Sequence, residues 1–268
     1  MIEVCPNTIS MSEADFMTDI DKLMIKNHEQ DLPEILKDFG KVLNSAVKIQ
    51  CKDFQKSKIE NIILKPRSQS ISLAKLMKDF CPQVKHVYMW RSFNPFFKSI
   101  LSMGDSMPDF LFKFMVKPMF SEMLRYGILP DDYKNPELQL KIETILRKSG
   151  KFEIFALMTA LQFLSYLKQR QDVNFHVVKY DDLMANPESE FRQLAHFGGL
   201  QMTNIAKHLQ AMEQDSQAKN EALNREKLKK FKRSSLTPKE IQILDQIYTK
   251  FNLPQINDFD NVFKLFTK

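Results

Sequence analysis

Two short apolar runs on either side of a helical stretch constrain this chain more than any other feature. Asn61-Ile62-Ile63-Leu64-Lys65 ends at Pro66, and Lys85-His86-Val87-Tyr88-Met89-Trp90-Arg91 follows a segment that carries Ile71, Ala74, Leu76, Met77 and Phe80 and stops at Cys81-Pro82. Runs this short, bounded by proline, read as buried strands, and the spacing between them reads as a helix. Strand, helix and strand inside about thirty residues have the size of a βαβ unit, whose strands lie parallel. The chain is therefore expected to be α/β, built on a parallel sheet.

The second run leads directly into a turn and another helix, Ser92-Phe93-Asn94-Pro95-Phe96-Phe97-Lys98-Ser99. Ligands of open α/β sheets collect beyond the carboxyl ends of the strands, where a helix N-terminus offers free N–H groups to an anion. Asn94 is read as the cap and Pro95 as the first helical residue, which puts Ser99 in the second turn. Arg91 and Ser99 could then grip one phosphate. The plainer alternative is that Arg91 pairs with a carboxylate and Ser99 is only a small helix residue. Tyr88 and Trp90 beside Arg91 either flank a ring or, as is commoner for alternating aromatics in a strand, belong to the core.

The rest of the chain fits one domain over residues 1–268. Its parts are a helical segment 1–55, an α/β core 56–200 with a helical insertion 96–150, and a helical part 201–268. Only six glycines occur, against roughly three times as many at an average usage of ~7%, so helix should dominate. Helices are expected from Ser12 (Phe16, Ile20, Leu23, Met24), from Pro33 to about Val47, and from Thr237-Pro238 through Phe251. A third strand is expected at Val173–Val178, followed by a helix from Pro187 capped by Asn186. Phe152 to Leu167 is the most apolar stretch but holds Glu153, Thr159, Gln162 and Ser165; it falls short of the ~20 residues of a membrane span and reads as a buried helix.

A net charge of +6 favours anionic ligands without choosing among them. Cys5, Cys51 and Cys81 have no metal-ligand spacing and read as reduced thiols, and Met1–Pro6 does not look like a signal peptide. The expected compartment is the cytoplasm, or the Golgi lumen if an upstream anchor precedes this sequence. The five histidines, at 28, 86, 176, 196 and 208, are scattered singly and read as surface or core residues.

Taken in order, Leu64-Lys65-Pro66-Arg67, the Arg91–Ser99 block, Val178-Lys179-Tyr180-Asp181-Asp182-Leu183 with Asn186-Pro187, Phe197-Gly198-Gly199-Leu200 and Leu236-Thr237-Pro238-Lys239-Glu240 resemble the second half of a sulfotransferase. The likeness covers roughly residues 60–103 and 150–260. It implies sulfuryl transfer from 3′-phosphoadenosine-5′-phosphosulfate to a hydroxyl or amine, with no metal and with neither nucleic acid nor membrane span as partner. It also implies that Arg91 and Ser99 hold the donor's 3′-phosphate and that the Tyr180–Leu183 element is structural.

The family's opening strand and glycine-containing phosphate loop have no counterpart: no Lys-Ser-Gly-Thr or Arg-Ser-Gly-Thr run exists, and the first glycine is Gly40. The chain is therefore read as lacking that first strand and loop, either a truncated product or a relative that lost donor activation, and inactive alone. Where many cytosolic relatives place a catalytic histidine, this chain has Arg67, which cannot accept a proton; the catalytic residues are thus unassigned. Lys65 and Arg67 either stabilise phosphosulfate oxygens or are solvated cations. Lys232 and Arg233, in the basic stretch Arg225–Arg233, either close over the 3′-phosphate or form a solvated helix face. The alternative function is a non-catalytic scaffold on the same fold that binds an anionic partner through its basic surface.

Overall fold

The computed structural model describes residues 7–12, 60–65, 68–105, 108, 112, 135–206, 209–210 and 235–265. Four strands occur among them: β1 (Thr8–Ser12), β2 (Asn61–Lys65), β3 (His86–Trp90) and β4 (Phe175–Lys179). All pairing is parallel. β1 lies beside β2 with Thr8 opposite Asn61, and β3 beside β4 with His86 opposite Phe175 and Trp90 opposite Lys179.

A 3-10 helix (Ser68–Leu73) runs into α1 (Ala74–Phe80) after β2. Beyond β3 come α2 (Phe93–Asp105), α3 (Pro136–Lys148) and the long α4 (Lys151–Gln169). β4 leads into α5 (Tyr180–Ala185) and α6 (Pro187–Gly198), and the chain closes with α7 (Pro238–Lys250) and α8 (Ile256–Leu265). α4 is the expected buried helix: Ile154, Phe155, Ala156, Leu157 and Ala160 are fully buried. An apolar helix with so little polar surface is stable only with neighbours all round it. Those neighbours include α2 and α3, α7 and α8, and the inner face of the β3–β4 pair.

Successive strand residues point to opposite faces, which sets out the layers. Tyr88 of β3 stacks on Tyr166 of α4 with ring centroids 3.8 Å apart, and Phe175 of β4 lies 5.5 Å from the same ring. On the opposite face His176 stacks on Phe197 of α6 at 4.7 Å. The β3–β4 pair thus lies between α4 and α6. The α6 layer covers β4, where Val178 is buried, but leaves Val87 and Met89 of β3 exposed at 42% and 51%.

Side-chain caps open α3 and α7. Thr237 Oγ1 accepts from Glu240 N–H while the Glu240 carboxylate accepts from Thr237 N–H, and Asn135 caps α3 ahead of Pro136. α6 ends at Gly199 with φ 71°, where the Leu200 N–H reaches the Ala195 carbonyl and the Gly199 N–H the His196 carbonyl, a Schellman ending. A Cβ there would meet nothing closer than Lys85 Nζ at 3.8 Å, so any substitution cost comes from the left-handed backbone alone. Gly199→Ala is expected to lower stability by about 1–2 kcal/mol, read as a shift in the denaturant midpoint with unchanged helix content.

Several expectations need correction. β2 and β3 are both present, yet they do not pair with each other: β2 pairs with β1 and β3 with β4. A crossover connection makes two strands parallel without making them neighbours. No strand was expected before Asn61, but β1 stands at Thr8–Ser12; its Thr-Ile-Ser-Met-Ser alternation is a period-two pattern that a capping-type serine at 12 concealed. α2 begins at Phe93, not Pro95: the Phe96 N–H reaches the Ser92 carbonyl, so Ser92 holds the cap position, and Pro95 sits in the first turn, where no N–H is needed. Asn186 precedes α6 as expected, but its side chain makes no cap hydrogen bond. The third strand starts at Phe175, two residues later than expected, while Val173 is buried as part of the approach to it. The two N-terminal helices expected between Ser12 and Val47 lie outside the described residues.

Candidate anion-binding site

The carboxyl ends of β3 and β4 lie side by side, because Trp90 and Lys179 are register partners. Arg91 follows β3 directly, and Tyr180 opens α5 directly after β4. Two cation–ring contacts cross between the strands. The Lys179 ammonium sits 5.4 Å from the Trp90 ring centroid, and the Arg91 guanidinium 4.9 Å from that of Tyr180. Lys179 thus lies over a ring from β3, and Arg91 over the ring of the first residue of α5.

Arg91 is half-buried, and its Nε is buried with no hydrogen-bond partner. A buried donor on a charged group is costly to leave unmatched. The plain alternative, in which Arg91 merely pairs with a carboxylate, finds no support: among the described residues Arg91 forms no ion pair. The nearest acidic group at this edge, Asp181, is already engaged. Its Oδ2 accepts from Ser92 N–H at 3.0 Å and from Ser92 Oγ. Partial burial works to raise the Asp181 pKa, but these two hydrogen bonds and the charges of Lys179 and Arg91 outweigh it and hold the carboxyl below the ordinary carboxylate range. Asp181 is therefore an ionised structural acceptor and a poor proton acceptor in catalysis.

Ser99 lies on α2 with an exposed side chain. It stands seven residues from Ser92, hence two turns along the same side of the helix and about 10.5 Å up its axis. The buried face of α2 carries Phe93, Phe97 and Leu101 instead. Lys65 closes β2 and is exposed. Arg67, Lys232 and Arg233 lie outside the described residues, as does the rest of Arg225–Arg233.

Tyr88 and Trp90 are core residues: Trp90 is 4% exposed and Tyr88 is held in the stack on Tyr166. His86 and His176 sit at the amino ends of β3 and β4. From His86 to Arg91 the strand spans about 16 Å, so neither histidine reaches the carboxyl edge. Burial, followed by the charge of Lys78, lowers the His86 pKa. Sequence reasoning gave no site role to three groups that the geometry brings forward: Lys179 and Asp181, quoted only within an element read as structural, and the buried, unpartnered hydroxyl of Ser70 in the 3-10 helix after β2. A strand-end lysine placed one residue before Tyr180 could have signalled the first of these.

A cavity of about 610 Å³ opens along α7, lined by Ile241, Asp245, Thr249 and Gln255 among others, and does not include Arg91 or Ser99. Among the described residues no cluster of His, Cys, Asp and Glu could hold a metal ion, and no helix is long and apolar enough to cross a membrane. A family model described as "Sulfotransferase domain" matches residues 72–264. No curated protein and no solved structure matches the chain.

Proposed function

The chain belongs to the sulfotransferase family, since the family's domain matches residues 72–264, Arg91 and Ser99 included, and from that premise we propose that it binds 3′-phosphoadenosine-5′-phosphosulfate through its 3′-phosphate. Sulfuryl transfer in general is the family's chemistry. In this reading the Arg91 guanidinium supplies the charge and the Ser99 hydroxyl a second donor at the N-terminal half of α2. The observation that carries it is the buried Arg91 Nε with no protein acceptor, at the carboxyl edge of a parallel strand pair. A phosphate oxygen there would satisfy that donor through a charge-assisted hydrogen bond.

The reaction breaks the donor's bridging O–S bond, forms a bond from sulfur to the acceptor oxygen or nitrogen, and sends the acceptor's proton to a base. Neither of the two candidate bases described near this edge is placed for that last step: His86 stands at the amino end of β3, and the Asp181 carboxylate is committed to Ser92. Lys65, exposed at the end of β2, is proposed to meet anionic oxygens of the donor.

The 5′-phosphosulfate loop is proposed to be missing from this sequence. A strand does precede β2, since β1 pairs with it in parallel, but the sequence holds no glycine-containing phosphate loop and its first glycine is Gly40.

The test is a titration with adenosine 3′,5′-bisphosphate combined with an assay of labelled sulfate transfer. At a hundredfold excess over Kd, binding contributes about 2.7 kcal/mol, enough to raise Tm by roughly 5–10 °C for a domain of this size. Turnover is expected to be at background. Absence of any shift would remove the donor site, and robust turnover would show that the chain supplies the 5′ machinery itself. Capture by heparin that falls steeply with salt and is indifferent to the bisphosphate would favour the scaffold alternative instead.

A further inference from the structure

We infer that Asp181 is a positioning residue for Arg91: by taking both donors of Ser92 it locks the turn after β3 and fixes where the guanidinium points. The inference deepens the proposed donor site and rests on that reading for its ligand, but not for its geometry.

The contacts form a two-by-two clamp. Tyr180 and Asp181, the first two residues of α5 just after β4, hold Arg91 and Ser92, the turn just after β3. The Tyr180 ring faces the guanidinium at 4.9 Å, and the Asp181 carboxylate receives the Ser92 N–H and O–H. Ser92 is also the residue whose carbonyl accepts the first hydrogen bond of α2, from Phe96. One carboxylate oxygen therefore ties the strand end, the turn and the helix start together.

The charge distribution gives the arrangement its purpose. A carboxylate one residue from Tyr180 could have paired with the guanidinium directly, which would have spent the charge of Arg91 within the protein. It bonds to Ser92 instead, so Arg91 is held by a ring face and a rigid turn and keeps its Nε donor unmatched. Pre-orienting a donor in this way reduces the ordering cost of binding.

The test is a double-mutant cycle read in two ways. In isothermal titration with adenosine 3′,5′-bisphosphate, Asp181→Ala is expected to weaken binding about tenfold and Ser92→Ala by a smaller factor, while in an Arg91→Ala background Asp181→Ala should change binding by less than about twofold, the non-additivity of residues acting through one group. Equal losses in both backgrounds would overturn the inference, because a residue that only stabilises the fold acts independently of Arg91. The second reading needs no ligand. The Arg91 Nε–H cross-peak in a 15N correlation spectrum, identified by its loss in Arg91→Ala, is expected to be resolved in the wild type and to collapse toward the free-arginine position in Asp181→Ala, with helix content unchanged. An unmoved cross-peak would sink the positioning role. If the bisphosphate fails to bind the wild type while the cross-peak does collapse, the donor reading fails and the clamp stands. Should Asp181→Ala not fold, Ser92→Ala carries both measurements: it removes only the hydroxyl bond to Asp181, so the smaller loss of binding and a partial shift of the cross-peak are expected, and an unmoved cross-peak counts against the role in the same way.

Discussion

Replacing Arg91 by alanine is expected to weaken the binding of adenosine 3′,5′-bisphosphate by about 10- to 100-fold, the worth of a charged hydrogen bond of roughly 1.5–3 kcal/mol. The thermal shift seen in the wild type should then disappear at the same ligand concentration. The fold itself should tolerate the change. Arg91 forms no ion pair among the described residues, and its main contact is the face of Tyr180, a contact of about 0.5–1 kcal/mol where partly exposed. The change also removes a buried unmatched donor, which offsets some of that loss. Affinity and stability should therefore part company: a large loss of ligand binding with a Tm change in the unliganded protein of only a few degrees. Arg91→Lys separates charge from geometry. Lysine keeps the charge but loses the planar fork, so intermediate affinity is expected. An alanine variant that binds as tightly as the wild type would refute the site.

How much of this was legible in the sequence depends on whether the signal was local. The β3–turn–α2 passage was readable because its parts are adjacent: an apolar run, then Arg91, then a proline-containing helix start. The same holds for α7, where Thr237, Pro238 and Glu240 form a capping box within four residues, and for α4, where length and apolarity suffice. Long-range pairing was not legible. β2 and β3 are joined by one crossover, yet each pairs with a different strand, and nothing in the residues 61–91 encodes the choice of neighbour. The clamp was missed for the same reason. Asp181 and Ser92 lie 89 residues apart, and only the register of β3 with β4 brings them together. The family element Tyr180–Leu183 was read as structural from resemblance alone; the two hydrogen bonds from Ser92 give that reading its physical content.

On α2, two substitutions two residues apart should have opposite signatures. Phe97 has no exposed surface; it stacks with Phe93 at 5.5 Å and meets Phe152 of α4 edge-on at 5.4 Å. Phe97→Ala removes a ring from a packed aromatic cluster and is expected to cost about 3–5 kcal/mol, a third or more of the stability of an ordinary domain. At about 2–4 °C per kcal/mol for a domain of this size, Tm should fall by roughly 6–20 °C, and bisphosphate binding should be lost only to the extent that the protein unfolds. Ser99 lies on the solvent side of the same helix, in no packed cluster. Ser99→Ala should leave Tm within the ~0.5 kcal/mol range of surface changes while weakening the bisphosphate several-fold, as expected for a neutral hydrogen bond of about 1 kcal/mol. Calorimetry on the two variants, each with and without ligand, separates the faces. If Ser99→Ala binds normally, α2 serves the site only through its N-terminal turn; if Phe97→Ala melts with the wild type, the packing assigned to this helix is wrong, and with it the placement of Arg91 at its entrance.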